Sequence, residues 1–119
     1  DYRLLFKGSK TGSYLTIEKA KGYEVPVAVW KVDEASEKAL DRYEGYPSFY
    51  YKKEIEIDYA SIKKKEPRRC KAFVYIMHEE RELGIPSRGY VEVCLEGYRT
   101  FGFNPILIEE AIIKSMEVR

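Results

Sequence analysis

The residue best placed to do chemistry is Glu44, which closes a short helical pattern that starts after Asp33. Leu40 and Glu44 are spaced i and i+4, so they share one face of that helix. If Leu40 turns inward, Glu44 is carried with it at the last turn. There the negative end of the helix dipole and partial burial both disfavour the carboxylate, and both raise its pKa toward the working range of a general acid/base. The plainer alternative is a solvated glutamate at a helix end, and on spacing alone that alternative is preferred. Glu18, Glu24 and Glu96 carry no comparable constraint.

Other chemistries find less support. The chain holds no glycine-rich phosphate loop, no nucleophile elbow and no metal-ligand spacing. His78 is the only histidine, and beside Glu79 and Glu80 it reads as an exposed turn residue without a fixed partner to tune it. Cys70 and Cys94 fall inside strand and helix patterns and read as structural thiols. The run from Lys63 to Arg69 is the one basic patch, and at a hairpin tip it reads as a solubilising edge more readily than as a phosphate or nucleic-acid site. Of 11 tyrosines, Tyr43, Tyr46, Tyr50 and Tyr51 cluster around one turn. They form either a wall for a small polar ligand or a packing of half-buried rings, and both readings stand.

The elements that must position these residues follow from local signals. Tyr2 to Phe6 favours a strand, Lys7 to Ser13 is turn chemistry, and Tyr14 to Glu18 resumes with period two. Val27-Ala28-Val29-Trp30 is a continuous apolar run, expected as a strand buried on both faces with Pro26 at its start. Asp33 is a helix N-cap, Gly45 suits a left-handed C-cap, and Pro47 prevents continuation. Tyr50 to Tyr59 alternates, with Ile55, Ile57 and Tyr59 on one face and Glu54, Glu56 and Asp58 on the other. Cys70 to Met77 forms its partner across the polar connection. From Ser87, the spacing Val91, Cys94, Leu95, Tyr98, Phe101 predicts an amphipathic helix ending near Gly102. Asn104-Pro105 opens a last helix through Ile108, Ala111, Ile112 and Met116. Strands first and helices last point to α+β, a curved sheet with helices packed on it.

Composition bounds the partners. With 119 residues, 45% of them hydrophobic, the chain is expected to form one domain over 1–119 with its own core. Lys and Arg total 21 against 20 for Asp and Glu, so a whole-chain electrostatic case for nucleic acid or an anionic membrane has no basis. No apolar run nears the roughly 20 residues of a membrane helix. Two cysteines make no disulfide framework, and together with the lack of a signal-peptide pattern they point to a cytoplasmic protein.

The segment Leu40-Asp41-Arg42-Tyr43-Glu44-Gly45-Tyr46-Pro47, followed by Tyr50-Tyr51-Lys52-Lys53, resembles the signature of the γ-glutamylcyclotransferase-like family. In that family an L-D-x-x-E-G helix end precedes a Y-x-(R/K) strand. Tyr2 to Gly8, Val25 to Trp30, Ile85 to Tyr90 and the helix end at Glu96-Gly97-Tyr98 fit the pattern in the same order. The resemblance implies a small, curved, barrel-like mixed sheet carrying helices. It also implies a cyclisation in which the α-amine of a small γ-glutamyl substrate attacks its own γ-carbonyl and 5-oxoproline is formed. Glu44 maps onto the family's acid/base glutamate, and Tyr90 onto a tyrosine that helps close the substrate pocket. No metal or organic cofactor is implied, and a homodimer is left open.

The chain departs from the family at its start. The family's first strand leads into a Y-G-S-(N/L) loop that holds the γ-glutamyl end, and Gly8-Ser9 matches the following turn instead. The expectation is therefore a member lacking its first strand and binding loop, with weakened turnover and an uncovered sheet edge open to pairing between copies. A catalytically silent binding module and an interaction domain are the alternatives on the same scaffold.

Overall fold

The computed structural model of the chain describes residues 1–9, 12–60 and 67–117. In chain order its elements are β1 (Tyr2–Ser9), β2 (Gly12–Lys19), α1 (Glu34–Glu44), β3 (Tyr50–Ala60), β4 (Pro67–Met77), β5 (Glu82–Leu83), α2 (Arg88–Phe101) and α3 (Ile106–Met116). They divide into two units, Asp1–Ala28 with Met77–Arg119, and Val29–Ile76.

In the first unit β1 and β2 pair antiparallel, from Tyr2 opposite Lys19 to Ser9 opposite Gly12. The ladder thus runs through residues whose composition reads as a turn. The reason is Gly8, where a Cβ would run into the carbonyl oxygen of Gly12. That glycine serves the close approach of two strands, and Lys10 and Thr11 of the expected turn lie outside the described residues. The two-residue β5 adds to the far side of β1, with Lys7 opposite Leu83. Buried Lys7 is paired with Glu18 and donates to the Glu79 carbonyl at 2.8 Å, as a buried ammonium requires.

Two helices complete this unit. At the start of α2 the Ser87 hydroxyl accepts from the Tyr90 N–H at 3.2 Å, and Gly102, at φ 71°, ends the helix. At the start of α3 the Asn104 side chain accepts from the Ile106 N–H at 3.1 Å. Phe6, Ile108 and Ala111 form the buried centre, with Leu4, Cys94 and Tyr98 among the side chains packed on it. Full burial of Phe6 or Ile108 contributes about 1.5–3 kcal/mol apiece. Phe101, expected on the apolar face, lies exposed and stacks on Phe103 instead.

The Val27–Trp30 run departs from the reading as a buried strand. It carries no ladder, and Val27, Val29 and Trp30 are all exposed, Trp30 by 72%. An apolar run becomes a buried strand only where neighbours pair its N–H and C=O groups. Among the described residues no strand pairs with it, and Pro26 withdraws a donor at its start.

In the second unit, α1 precedes β3 and β4, which form a two-stranded sheet. Ile55, Ile57 and Tyr59 are partly covered and Glu54, Glu56 and Asp58 exposed, as the alternation predicts. Of the basic run, Lys63, Lys64 and Lys65 lie outside the described residues. Arg69 is engaged by Glu56 at 3.0 Å and Asp58 at 3.2 Å.

The architecture is α+β with three helices among the described residues. Where one barrel-like mixed sheet is expected, the described strands form a three-stranded antiparallel sheet and a two-stranded one, with no closed barrel among them. Hairpin pairing between chain neighbours closes short loops, which is entropically the milder arrangement.

Candidate active site

The helix α1 is fixed at both ends by its own sequence. At its start the Asp33 carboxylate accepts from the Ser36 N–H at 2.7 Å, which holds that carboxyl below its usual range. At its end Gly45 takes the left-handed conformation, φ 67°, that a side chain would oppose. The Gly45 N–H then reaches the Arg42 carbonyl at 3.3 Å and the Tyr46 N–H the Asp41 carbonyl at 2.9 Å. Along the helix the partly covered residues are Glu37, Leu40, Asp41 and Glu44, spaced as a single face. Glu44 therefore shares its face with Leu40, and its partial burial pushes its carboxyl above the usual range.

One turn earlier on that face the electrostatics reverse. The Lys52 ammonium, on β3, donates to Glu37 at 2.6 Å and to Asp41 at 3.2 Å. The Tyr75 hydroxyl, on β4, donates to Asp41 at 2.6 Å. Tyr75 and then Lys52 hold the Asp41 carboxyl below its usual range, while Glu37 and then Asp41 push the Lys52 ammonium well above its own. Lys52 also lies 4.5 Å from the Tyr46 ring centroid and 5.5 Å from that of Phe73. Burial, with help from Asp41, pushes the Tyr75 phenol well up, so it remains a donor.

Tyr90 belongs to the other unit, in the first turn of α2. Its ring meets Phe6 and Tyr14 edge-on, with centroids 6.2 Å and 5.3 Å away. Its hydroxyl accepts from the Leu15 N–H at 3.1 Å, on the outer strand β2, and also engages the Cys94 thiol. Burial pushes that thiol up, which suits a structural cysteine. The tyrosine cluster divides: Tyr50 is buried against Phe49, Tyr46 faces Lys52, and Tyr43 is 86% exposed. His78 is partly covered at the 78–81 turn, where its carbonyl accepts from the Arg81 N–H at 3.1 Å. Among the described residues no three His, Cys, Asp or Glu side chains are grouped to hold a metal ion, and no helix is long and apolar enough to cross a membrane.

The family profile described as γ-glutamyl cyclotransferase, AIG2-like, matches residues 1–92. The chain belongs to this family. The matched span holds Glu44 and Tyr90 and stops inside α2, so α3 lies beyond it. No curated protein and no solved structure matches the chain. In this AIG2-like γ-glutamyl cyclotransferase family member, spacing singles out Glu44 as a candidate without preferring it to a solvated helix end, and assigns no role to Glu37, Asp41, Lys52 or Tyr75. The available signal is an acidic pair at i and i+4, Glu37 and Asp41, with a lysine on the next strand.

Proposed function

We propose that the chain catalyses the intramolecular cyclisation of a small γ-glutamyl compound, with Glu44 as the proton carrier. The α-amine nitrogen attacks the γ-carbonyl carbon and forms the ring C–N bond, while the bond from that carbon to the departing nitrogen breaks. The proton lost by the attacking ammonium goes to the Glu44 carboxylate. Glu44 then passes it to the leaving nitrogen. The ring nitrogen gives up its second proton, which the departing amine takes up as it leaves as an ammonium, so that 5-oxoproline and a free amine or amino acid result with Glu44 again a carboxylate. No redox change occurs and no co-reactant enters the balance. The nucleophile is already tethered to its target, so the enzyme supplies orientation and proton transfer.

The observation carrying this reading is the partly buried carboxyl of Glu44, held above its ordinary range at a fixed helix end. A raised pKa makes the carboxylate a better base, and partial exposure leaves it reachable. Family membership supports the reaction class, and by that resemblance Tyr90 is assigned to substrate binding. The partner is a small γ-glutamyl molecule, with neither nucleic acid nor membrane involved, and the cellular location is read as cytoplasmic.

The test is to incubate the protein with a panel of γ-glutamyl amino acids and amines and to follow 5-oxoproline by chromatography. Product that scales with enzyme is expected. Saturable binding by calorimetry with no product would replace catalysis with a silent binding module.

A further inference from the structure

We propose that Lys52 is a positioning residue that fixes the direction of the Glu44 side chain, an inference that rests on Glu44 being the proton carrier. Glu44 lies between two residues that this one ammonium holds. Three positions before it, the Asp41 carboxylate accepts from Lys52 at 3.2 Å and from Tyr75 at 2.6 Å. Two positions after it, the Tyr46 ring has its centroid 4.5 Å from the same nitrogen. The Tyr46 N–H closes the loop by donating to the Asp41 carbonyl at 2.9 Å. The segment from Asp41 to Tyr46 is therefore tied at both ends to the first strand of its own sheet.

The last turn of a helix is where backbone hydrogen bonds run out and fraying begins. A carboxyl that must meet a substrate nitrogen tolerates little of that motion, because a displacement near 1 Å costs about 100-fold in rate. Side-chain exposure is 19% at Lys52 and 24% at Asp41, so water competes weakly for the pair. An exposed surface pair would hold far less. Lys52 keeps its proton throughout, since two carboxylates stabilise the charged form, so it acts through Asp41 and Tyr46 and not as an acid.

The experiment uses the full chain and γ-glutamyl-alanine, comparing Lys52→Met, Lys52→Arg, Asp41→Asn and Glu44→Gln. Lys52→Met and Asp41→Asn are expected to lower kcat about 10- to 100-fold with KM within about threefold, and Lys52→Arg to recover kcat to within about threefold of the parent. In parallel, the Glu44 carboxyl is titrated by carbon-detected NMR. Loosening the turn lets water in and lowers its pKa toward the usual value, whereas merely deleting a nearby cation would raise it. An unchanged kcat in folded Lys52→Met, a change confined to KM, or an upward move of the Glu44 titration overturns the proposal. Full turnover by Glu44→Gln, or none by the parent, instead removes the proton-carrier reading. The titration then still decides whether Lys52 orients Glu44.

Discussion

Replacing Glu44 by glutamine isolates proton transfer from shape. The two side chains match in length and volume, so the half-covered position at the end of α1 gains neither a cavity nor a clash. What disappears is the capacity to take and return a proton, which contributes typically about 10²- to 10⁴-fold in general acid–base catalysis. At about 1.36 kcal/mol per decade, kcat should fall by an amount equivalent to roughly 2.7–5.4 kcal/mol of barrier. The same substitution has a second consequence with a definite sign. Burial raises the folded-state pKa of Glu44 above its unfolded value. Its contribution to stability is therefore complete below the ordinary glutamate pKa and is lost as pH rises through the folded value. A glutamine at this position never ionises and escapes that loss, so the Glu44→Gln variant should gain on the parent as pH rises from about 4 to about 7.5. A 5-oxoproline assay gives the first quantity and thermal melts across that pH range give the second. Activity within about fivefold of the parent, or melts in which the parent gains on the variant as pH rises, would remove Glu44 from the proton transfer.

Three further outcomes follow from the geometry. Tyr90→Phe keeps the ring contacts but removes the acceptor for the Leu15 N–H, and should destabilise the protein by about 0.5–1.5 kcal/mol in denaturant melts, with KM rising if the hydroxyl also meets substrate. Gly45→Ala places a Cβ at φ 67°, 3.2 Å from the Phe49 Cβ, and should cost about 1–2 kcal/mol while lowering kcat through the displaced Glu44 turn; parent-like stability and turnover would contradict it. Thr16→Val orphans the buried Met77 N–H, which now donates to the Thr16 hydroxyl at 2.9 Å, so it should cost about 1–3 kcal/mol. Thr16→Ser keeps the hydroxyl and should be the milder change in the same melts.

What is legible in the sequence is what neighbours along the chain decide. Asp33, Gly45, Ser87 and Gly102 bound their helices because capping is settled within four residues. The alternation of Ile55, Ile57 and Tyr59 against Glu54, Glu56 and Asp58 appears as read, and so does the shared face of Leu40 and Glu44. Gly8 reads as turn chemistry because its actual role, making room for Gly12 on the paired strand, is a relation between two segments. Trp30 reads as buried for the same reason: burial needs a partner layer that an apolar run does not encode. The two-residue strand at Glu82 and Leu83 is too short for any period to register. Lys52 joins Glu37 and Asp41 across 15 and 11 positions, beyond the reach of local pattern.

The same separation explains why a carboxyl at odds with its surroundings stays in place. Asp41 and Glu44 sit three residues apart on one helix face, yet their environments move them in opposite directions. Hydrogen bonds from Tyr75 and Lys52 keep Asp41 ionised, while burial favours the neutral form of Glu44. On the proposed mechanism, two carboxyls driven apart in this way divide the labour, one anchoring and one exchanging protons. Left to itself, Glu44 would turn toward water to relieve its desolvation. If Lys52 positions Glu44 as proposed, the ties on Asp41 and the left-handed cap at Gly45 oppose that escape, and the favourable pair sustains the unfavourable residue. Acid should therefore act on the site twice: Glu44 takes up its proton first, and only at lower pH, as Asp41 is neutralised, does the anchor itself release.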